Sequence, residues 1–283
     1  MQNPSFASRR EFLKCSALSA AACLLPEIGD GAPAQRGLGS SKKGLCMVAK
    51  SDGVWLERAK NANAAWFYSW GSNKPANTPA NLHFVPMIWG YWGNKPSILK
   101  VGAAAKTAGC KELLGFNEPD EKKQANLSVE KALEAWPTLM ETGLRLGSPG
   151  CVHPDGPWMQ RFMEEVRKRR LQVDFVCVHS YGGTDANAFM NRLEQVAKQF
   201  RKPLWITEFA CGDWQAKSPQ QNRHKPEQVL KFMENVIPRL EKSRFIERYA
   251  WYPAPTTSNA LGTSALFQAD GSLTRLGSLY ASF

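Results

Sequence analysis

The sequence is poor in the residues and loops that hold metals or phosphates. Four histidines and seven cysteines are spread over 283 residues. None stands in a CxxC or in a His/Cys cluster with metal-ligand spacing, which argues against a zinc site. No GxxxxGK[ST] loop occurs, no GxGxxG follows an apolar run, and no GxSxG elbow is present; "LGSPG" (Leu146 to Gly150) lacks the strand-to-helix nucleophile turn. These absences set aside nucleotide hydrolysis, dinucleotide-dependent redox chemistry and serine hydrolysis. Apolar runs fall short of the about 20 residues that a membrane helix needs. The charge of +11 is scattered. Its densest run, "RKRR" (Arg167 to Arg170), ends a helical pattern, where cations suit the dipole and a solvated face. The basic stripe with interleaved aromatics that nucleic acids require is missing. Net charge leaves open an acidic or cell-wall surface as partner.

What is present is an ordinary globular composition, 43% hydrophobic and 22% charged, with ten Trp and 18 Pro. Residues 1–34 stand apart from the fold. Adjacent arginines in "SRREFLK" precede the modestly apolar "CSALSAAACLLP", the pattern of a twin-arginine export signal. Ala32-Pro33-Ala34 offers cleavage before Gln35, with lipidation at Cys23 as the alternative, and residues 35–44 read as linker. The expected location is therefore secreted or periplasmic. A twin-arginine substrate folds in the reducing cytoplasm, so Cys46, Cys110, Cys151, Cys177 and Cys211 are expected without essential disulfides.

From residue 45 to 283 a pattern repeats. Short β-rich runs at 45–50, 64–70, 83–90, 112–117, 146–149, 174–181, 203–208 and 248–252 alternate with helical segments. Among the helix signals are a Ser128 cap with a Gly143 stop, Pro157 and Pro226 at first helical positions, and a Thr184 cap. Pro137 predicts a kink. Eight strand-helix units argue a compact (β/α)8 TIM barrel of the α/β class. At least one helix is missing, because "GSNKPANTPANL" (Gly71 to Leu82) is turn sequence. An open doubly wound sheet is the structural alternative.

In such a barrel the active site gathers at the C-terminal strand ends. "LLGFNEPD" (Leu113 to Asp120) is an apolar fourth strand that stops on Asn117 and Glu118. "PLWITEFA" (Pro203 to Ala210), the seventh, finishes on Glu208. Two carboxylates across the barrel mouth can approach to about 5 Å, the separation of a retaining glycosidase. One then serves as acid/base and the other as nucleophile. Asn117 is placed to bond a sugar 2-hydroxyl. "VHSYGG" ends the sixth strand with His179 and Tyr181 on one face. "IWGYWGN" supplies Trp89, Tyr91 and Trp92, and "AWYPAP" supplies Trp251 and Tyr252, as surfaces for pyranose stacking. Trp66, Trp136 and Trp205 read as core, Trp158 and Trp214 fit either role, and His83, His153 and His224 read as structural or surface residues.

"LLGFNEPD", "VHSYG" and "LWITEFA", in that order, resemble glycoside hydrolase family 128 of the retaining glycosidase clan A, endo-β-1,3-glucanases with an incomplete barrel. The resemblance implies Glu118 as acid/base and Glu208 as nucleophile, with Asn117, His179, Tyr181 and Trp251 around the cleaved bond. It also implies a β-1,3-glucan substrate; the two-carboxylate mechanism needs no cofactor, and a monomer without a metal is expected. A noncatalytic glycan-binding protein on the same scaffold, and a retaining glycosidase for another β-linked polysaccharide, are the alternatives.

Overall fold

The computed structural model describes residues 40–50 and 53–283. The expected export signal lies outside these residues, as does the first part of the linker. Within them, eight strands alternate with seven α-helices: β1 (Lys43–Cys46), α1 (Val54–Asn61), β2 (Trp66–Tyr68), β3 (His83–Phe84), α2 (Lys95–Thr107), β4 (Glu112–Leu113), α3 (Val129–Glu141), β5 (Arg145–Leu146), α4 (Pro157–Arg169), β6 (Val176–Gly182), α5 (Ala186–Phe200), β7 (Leu204–Cys211), α6 (Pro226–Lys242), β8 (Ile246–Trp251) and α7 (Arg275–Ser282). Each run expected as a strand holds one, although β1 starts at Lys43, inside the segment expected as linker. No helix joins β2 to β3, where the Pro- and Asn-rich turn sequence stands.

All strand pairs are parallel. Six strands run in the order β3-β2-β1-β8-β7-β6, and β4 pairs with β5. Isolated parallel bridges, Met87 to Leu114 on one side and Gly147 to Phe175 and Cys151 to Val178 on the other, join the two groups. With β1 bonded to β8, the circuit of a barrel is complete.

The two-residue period of a strand divides the side chains into two layers. Inward-facing Cys46, Trp66, Tyr68, Val85, Met87, Leu114, Phe175, Cys177, Trp205 and Ala250 fill the barrel. Their neighbours Leu45, Phe67, Phe84, Leu113, Val176 and Ile206 pack outward against the helices. Trp66 and Trp205 are thus core, and Trp136 packs edge-on between Phe116 and Phe162 in the outer layer. Where the second helix is missing, Phe67 is covered by Trp55 of α1 and by Phe84.

Local signals set the helix ends. Ser128 caps α3 by accepting from the Lys131 N–H, Gly143 follows in the left-handed region, and α3 contains Pro137. Pro157 and Pro226 open α4 and α6. The cap of α5 is Asp185 and not Thr184: its carboxylate accepts from the Asn187 and Ala188 N–H groups. Two adjacent lysines close the helices at the other end of the barrel. Lys42 Nζ donates to the carbonyls of Leu240, Glu241 and Ser243 at the C-terminal end of α6. The fully buried Lys43 donates to Tyr280 O at 2.8 Å in α7. Burial lowers its pKa to about 8.

Candidate active site

The loop after β4 explains why an apolar strand ends on Asn117 and Glu118. Gly115 lies against the backbone of Gly147, Ser148 and Pro149, where a Cβ would come within 3.0 Å of Pro149 N. The Asn117 N–H then donates to Trp89 O at 2.9 Å and the Glu118 N–H to Gly150 O at 2.7 Å. Glu118 has a φ of 42°, a left-handed conformation uncommon for a residue with a side chain, and disfavoured further by the proline that follows. Such strain persists only where the surroundings over-determine it. Here it turns the carboxylate toward the barrel mouth. Asp120 ties the loop down by accepting from the N–H groups of Val152 and His153.

Glu208 reaches the mouth by a different device. Trp205 faces inward, so strict alternation would aim Glu208 outward at the helices. Register along β6 shifts, however: Val178 pairs with Ile206, and His179 pairs with Glu208. Thr207 is an extra residue, a β-bulge of the kind that re-aims a side chain beside an active site. Inward-facing Glu208 therefore sits beside inward-facing His179. Gly150 makes this packing possible, since a Cβ there would lie 2.6 Å from His179 Nε2.

The ligand-type atoms of Glu118, His179 and Glu208 lie within 4.8 Å of one another. His179 Nδ1–H donates to Glu118 Oε1 at 2.9 Å, and its Nε2 approaches Glu208 Oε1 at 3.5 Å. Burial opposes the imidazolium, but the Glu208 charge, the hydrogen bond to Glu118 and the charges of Glu118 and Asp120 outweigh it and raise the His179 pKa. Glu208 is buried and accepts three further hydrogen bonds: Tyr68 Oη–H at 2.7 Å and Trp70 Nε1–H at 2.8 Å to Oε1, and Tyr181 Oη–H at 2.5 Å to Oε2. Burial first, and then the Glu208 charge, pushes both phenols well above their ordinary range, so they act as donors. Among the described residues no lysine or arginine pairs with either carboxylate. Glu208 is already surrounded by donors, and His179 Nε2 is packed against Gly150.

A cleft of about 990 Å³ opens over this group. Trp89, Asn117, Tyr181 and Tyr252 line it with Glu118, His179 and Glu208. Asn117 donates its amide to Gln124 Oε1 at 3.3 Å and leaves Oδ1 buried without a partner, an acceptor open to a ligand hydroxyl. Three expected contacts stand elsewhere. Trp92 is 74% exposed and stacks on the outer side of Trp89, with ring centroids 6.1 Å apart. Tyr91 is buried and donates to Glu134. Trp251 is fully buried, with its indole N–H on Ser264 O and its ring against Phe209 and Tyr280.

The sequence reading missed Tyr68 and Trp70, both at the end of β2, as well as the cleft-lining His153. "WFYSW" carries the same strand-end signal as "VHSYGG", masked because consecutive aromatics read as core. Trp214 also lines the cleft and is 64% exposed, whereas Trp158 packs on Phe162 with its N–H on Leu127 O.

Residues 44–280 match the family described as Glycosyl hydrolase catalytic core. Among solved structures, the chain is similar to a subgroup I endo-β-1,3-glucanase of glycoside hydrolase family 128 from Amycolatopsis mediterranei, bound to laminaritriose. The two are 32% identical with a TM-score of 0.72, over 86% of this chain and 99% of that one. A subgroup II endo-β-1,3-glucanase from Sorangium cellulosum is 26% identical, with a TM-score of 0.70 over 85% and 98% of the two chains. A subgroup III curdlan-specific exo-β-1,3-glucanase from Blastomyces gilchristii is 28% identical, with a TM-score of 0.69 over 87% and 100%. No curated protein matches the chain. A parallel barrel, two glutamates at the ends of its fourth and seventh strands and this breadth of likeness lead to one conclusion: the chain belongs to glycoside hydrolase family 128, within the glycosyl hydrolase catalytic core family.

Proposed function

We propose that this glycoside hydrolase is an exported, monomeric β-1,3-glucanase that cleaves within the chain and retains anomeric configuration. The observation that carries the mechanism is the approach of one carboxylate oxygen of Glu118 and one of Glu208 to within 4.8 Å. That separation suits direct attack, for an inverting pair would stand about 6.5–9.5 Å apart to admit a water. Glu208 is the nucleophile: three donors fix its orientation, so an oxygen can be aimed at the anomeric carbon with little reorganisation. Glu118 is the acid/base, since it is held only by His179 and is the more open of the two, able to exchange protons between half-reactions. His179, bonded to Glu118, orients it and moderates the charge shared by the two carboxylates. The free Asn117 Oδ1 accepts from the sugar 2-hydroxyl, and Trp89 and Tyr252 flank the ring.

The β-1,3 linkage and internal cleavage rest on the likeness to the laminaritriose-bound endo-acting relative. Export rests on the twin-arginine pattern. Five buried, unpaired cysteines are what a chain folded before export requires. The decisive experiment follows products from laminarin and curdlan, with cellulose and mixed-linkage glucan as controls, for the protein from Gln35 onward. The expected outcome is a ladder of short β-1,3-oligosaccharides whose newly formed end is first the β-anomer by NMR. Glucose alone would refute internal cleavage, an α-anomer the retaining mechanism, and release from cellulose alone the linkage.

A further inference from the structure

A second groove, of about 770 Å³, lies between the C-terminal ends of α4 and α5. These helix ends lead into β6 and β7, so the groove opens at the N-terminal end of the barrel, away from the catalytic cleft. Its floor is apolar: Met163 and Val166 are buried, and Leu171 and Phe200 half-buried. Its walls carry Arg167, Arg170, Lys198, Arg201 and Lys202 against a single carboxylate, Glu164.

Helix-dipole compensation does not account for this concentration. Lys168 and Arg169 already supply positive charge in the last turn of α4, and both pair with acids of the same helix: Lys168 with Glu164 at 2.9 Å and Arg169 with Glu165 at 2.9 Å. Arg167, Arg170, Arg201 and Lys202 face the groove and have no carboxylate partner among the described residues. The run that reads as one basic block is thus two sets, a neutralised pair and an unneutralised groove wall. Both helices also end on an arginine in the left-handed region, Arg170 at φ 54° and Arg201 at φ 53°, where glycine or asparagine would sit with less strain. Like charges gathered at one place repel, and an anion bound among them relieves that repulsion.

We propose that this groove is a docking site for a linear, phosphate-bearing anionic polymer, which would hold the enzyme to an acidic matrix while the opposite end of the barrel acts on glucan. Three guanidinium forks match phosphate oxygens spaced along a chain. A concave site between helices favours a chain over a flat bilayer. None of the exposed large apolar residues, Val48, Val54, Leu99, Trp92 and Trp214, lines this groove to insert into lipid.

The test measures binding of fluorescently labelled inorganic polyphosphate to the full chain by anisotropy, with anionic phospholipid vesicles as a parallel arm. The variant pair Arg167→Glu with Arg201→Glu is compared with Lys60→Glu with Lys231→Glu, which makes the same charge change at exposed positions elsewhere. A milder pair, Arg167→Gln with Arg201→Gln, covers the case in which the charge reversal impairs folding, and laminarin hydrolysis checks the active-site end of each variant. At least a tenfold loss of affinity in the groove variants, with less than a threefold loss in the control, supports the proposal. Equal losses would mean that polyphosphate senses only net charge, and vesicle binding through the same arginines without polyphosphate binding would assign the groove to lipid. Either result overturns the polymer site.

Discussion

The two ends of the barrel each hold a pair of glutamates and treat them oppositely. At the N-terminal end, Glu112 meets His83 at 2.7 Å and Arg248 at 3.4 Å, while Glu247 pairs with Arg145 at 2.7 Å and accepts from Trp205 Nε1. Arg248 also lies over the Trp205 ring, 4.2 Å from its centroid, and so closes the bottom of the barrel core. At the C-terminal end, Glu118 and Glu208 share one histidine and neutral donors, and among the described residues no lysine or arginine pairs with them. A carboxylate beside a permanent cation is locked into one state and serves the fold. One surrounded by proton-bearing neutral groups keeps its reactivity, and the fold supplies only its position.

Substitutions can break this contrast, with the largest effect at the top. Glu208→Ala should lower turnover on laminarin on the order of 10⁴-fold. Glu118→Ala should spare the first step on an activated aryl glycoside and slow the second, with azide restoring it. A melting curve unchanged by either variant would show that these side chains serve chemistry alone, and near-native hydrolysis by both would end the assignment.

At the bottom the prediction inverts. Replacing buried Glu112, as Glu112→Gln, removes the counter-charge of half-buried Arg248 and should cost about 3 kcal/mol of stability in urea melts, with kcat/KM nearly unchanged. Burial alone would raise the Glu112 pKa, but the bond from His83 and the charges of Arg248, His83 and Arg145 lower it overall from 4.5. In the folded state this carboxyl therefore binds its proton less readily than in the unfolded chain. Its stabilisation is complete above pH 4.5 and is lost as pH falls through the lower folded value. Melts of wild type and variant should converge as the pH is taken below that point.

Trp70→Phe keeps an aromatic ring but removes one of the three Glu208 donors. A hydrogen bond to a charged group is worth about 1.5–3 kcal/mol, so kcat/KM should fall roughly 10- to 150-fold. A fall in kcat with KM little changed would separate lost nucleophile support from lost sugar stacking, which would raise KM. The smallest effect belongs to Arg145→Ala. Its pair with Glu247 is over a third exposed on both sides and should contribute about 1 kcal/mol or less.

The sequence showed whatever is decided locally. Strand-forming runs, the Ser128 cap, the prolines that open α4 and α6 and the missing helix all depend on residues near one another in the chain. Glu118 and Glu208 were legible because polar residues interrupt apolar strands. Their orientations were not. The inward turn of Glu208 depends on the unpaired Thr207, and a bulge exists only relative to a neighbouring strand. The same register problem separates Trp251 from Tyr252: the first packs against α7, and only the second reaches the cleft. Tyr68 and Trp70 were hidden because nothing in an aromatic run tells a core ring from a carboxylate's donor.

Lys43 has a consequence for how the chain is made. The first strand of the barrel places a buried ammonium under carbonyls 237 residues later, and its hydrogen-bonded neighbour is the last strand. During synthesis β1 therefore emerges with an open edge and an unmet charge; the edge waits for β8 and the charge for α7. Contacts this distant make folding slow and hold back completion until β8 and α7 have both emerged. A ribosome stalled before β8 has emerged should hold a chain whose ring is still open, and protease sensitivity should fall in two steps, as β8 and then α7 are released.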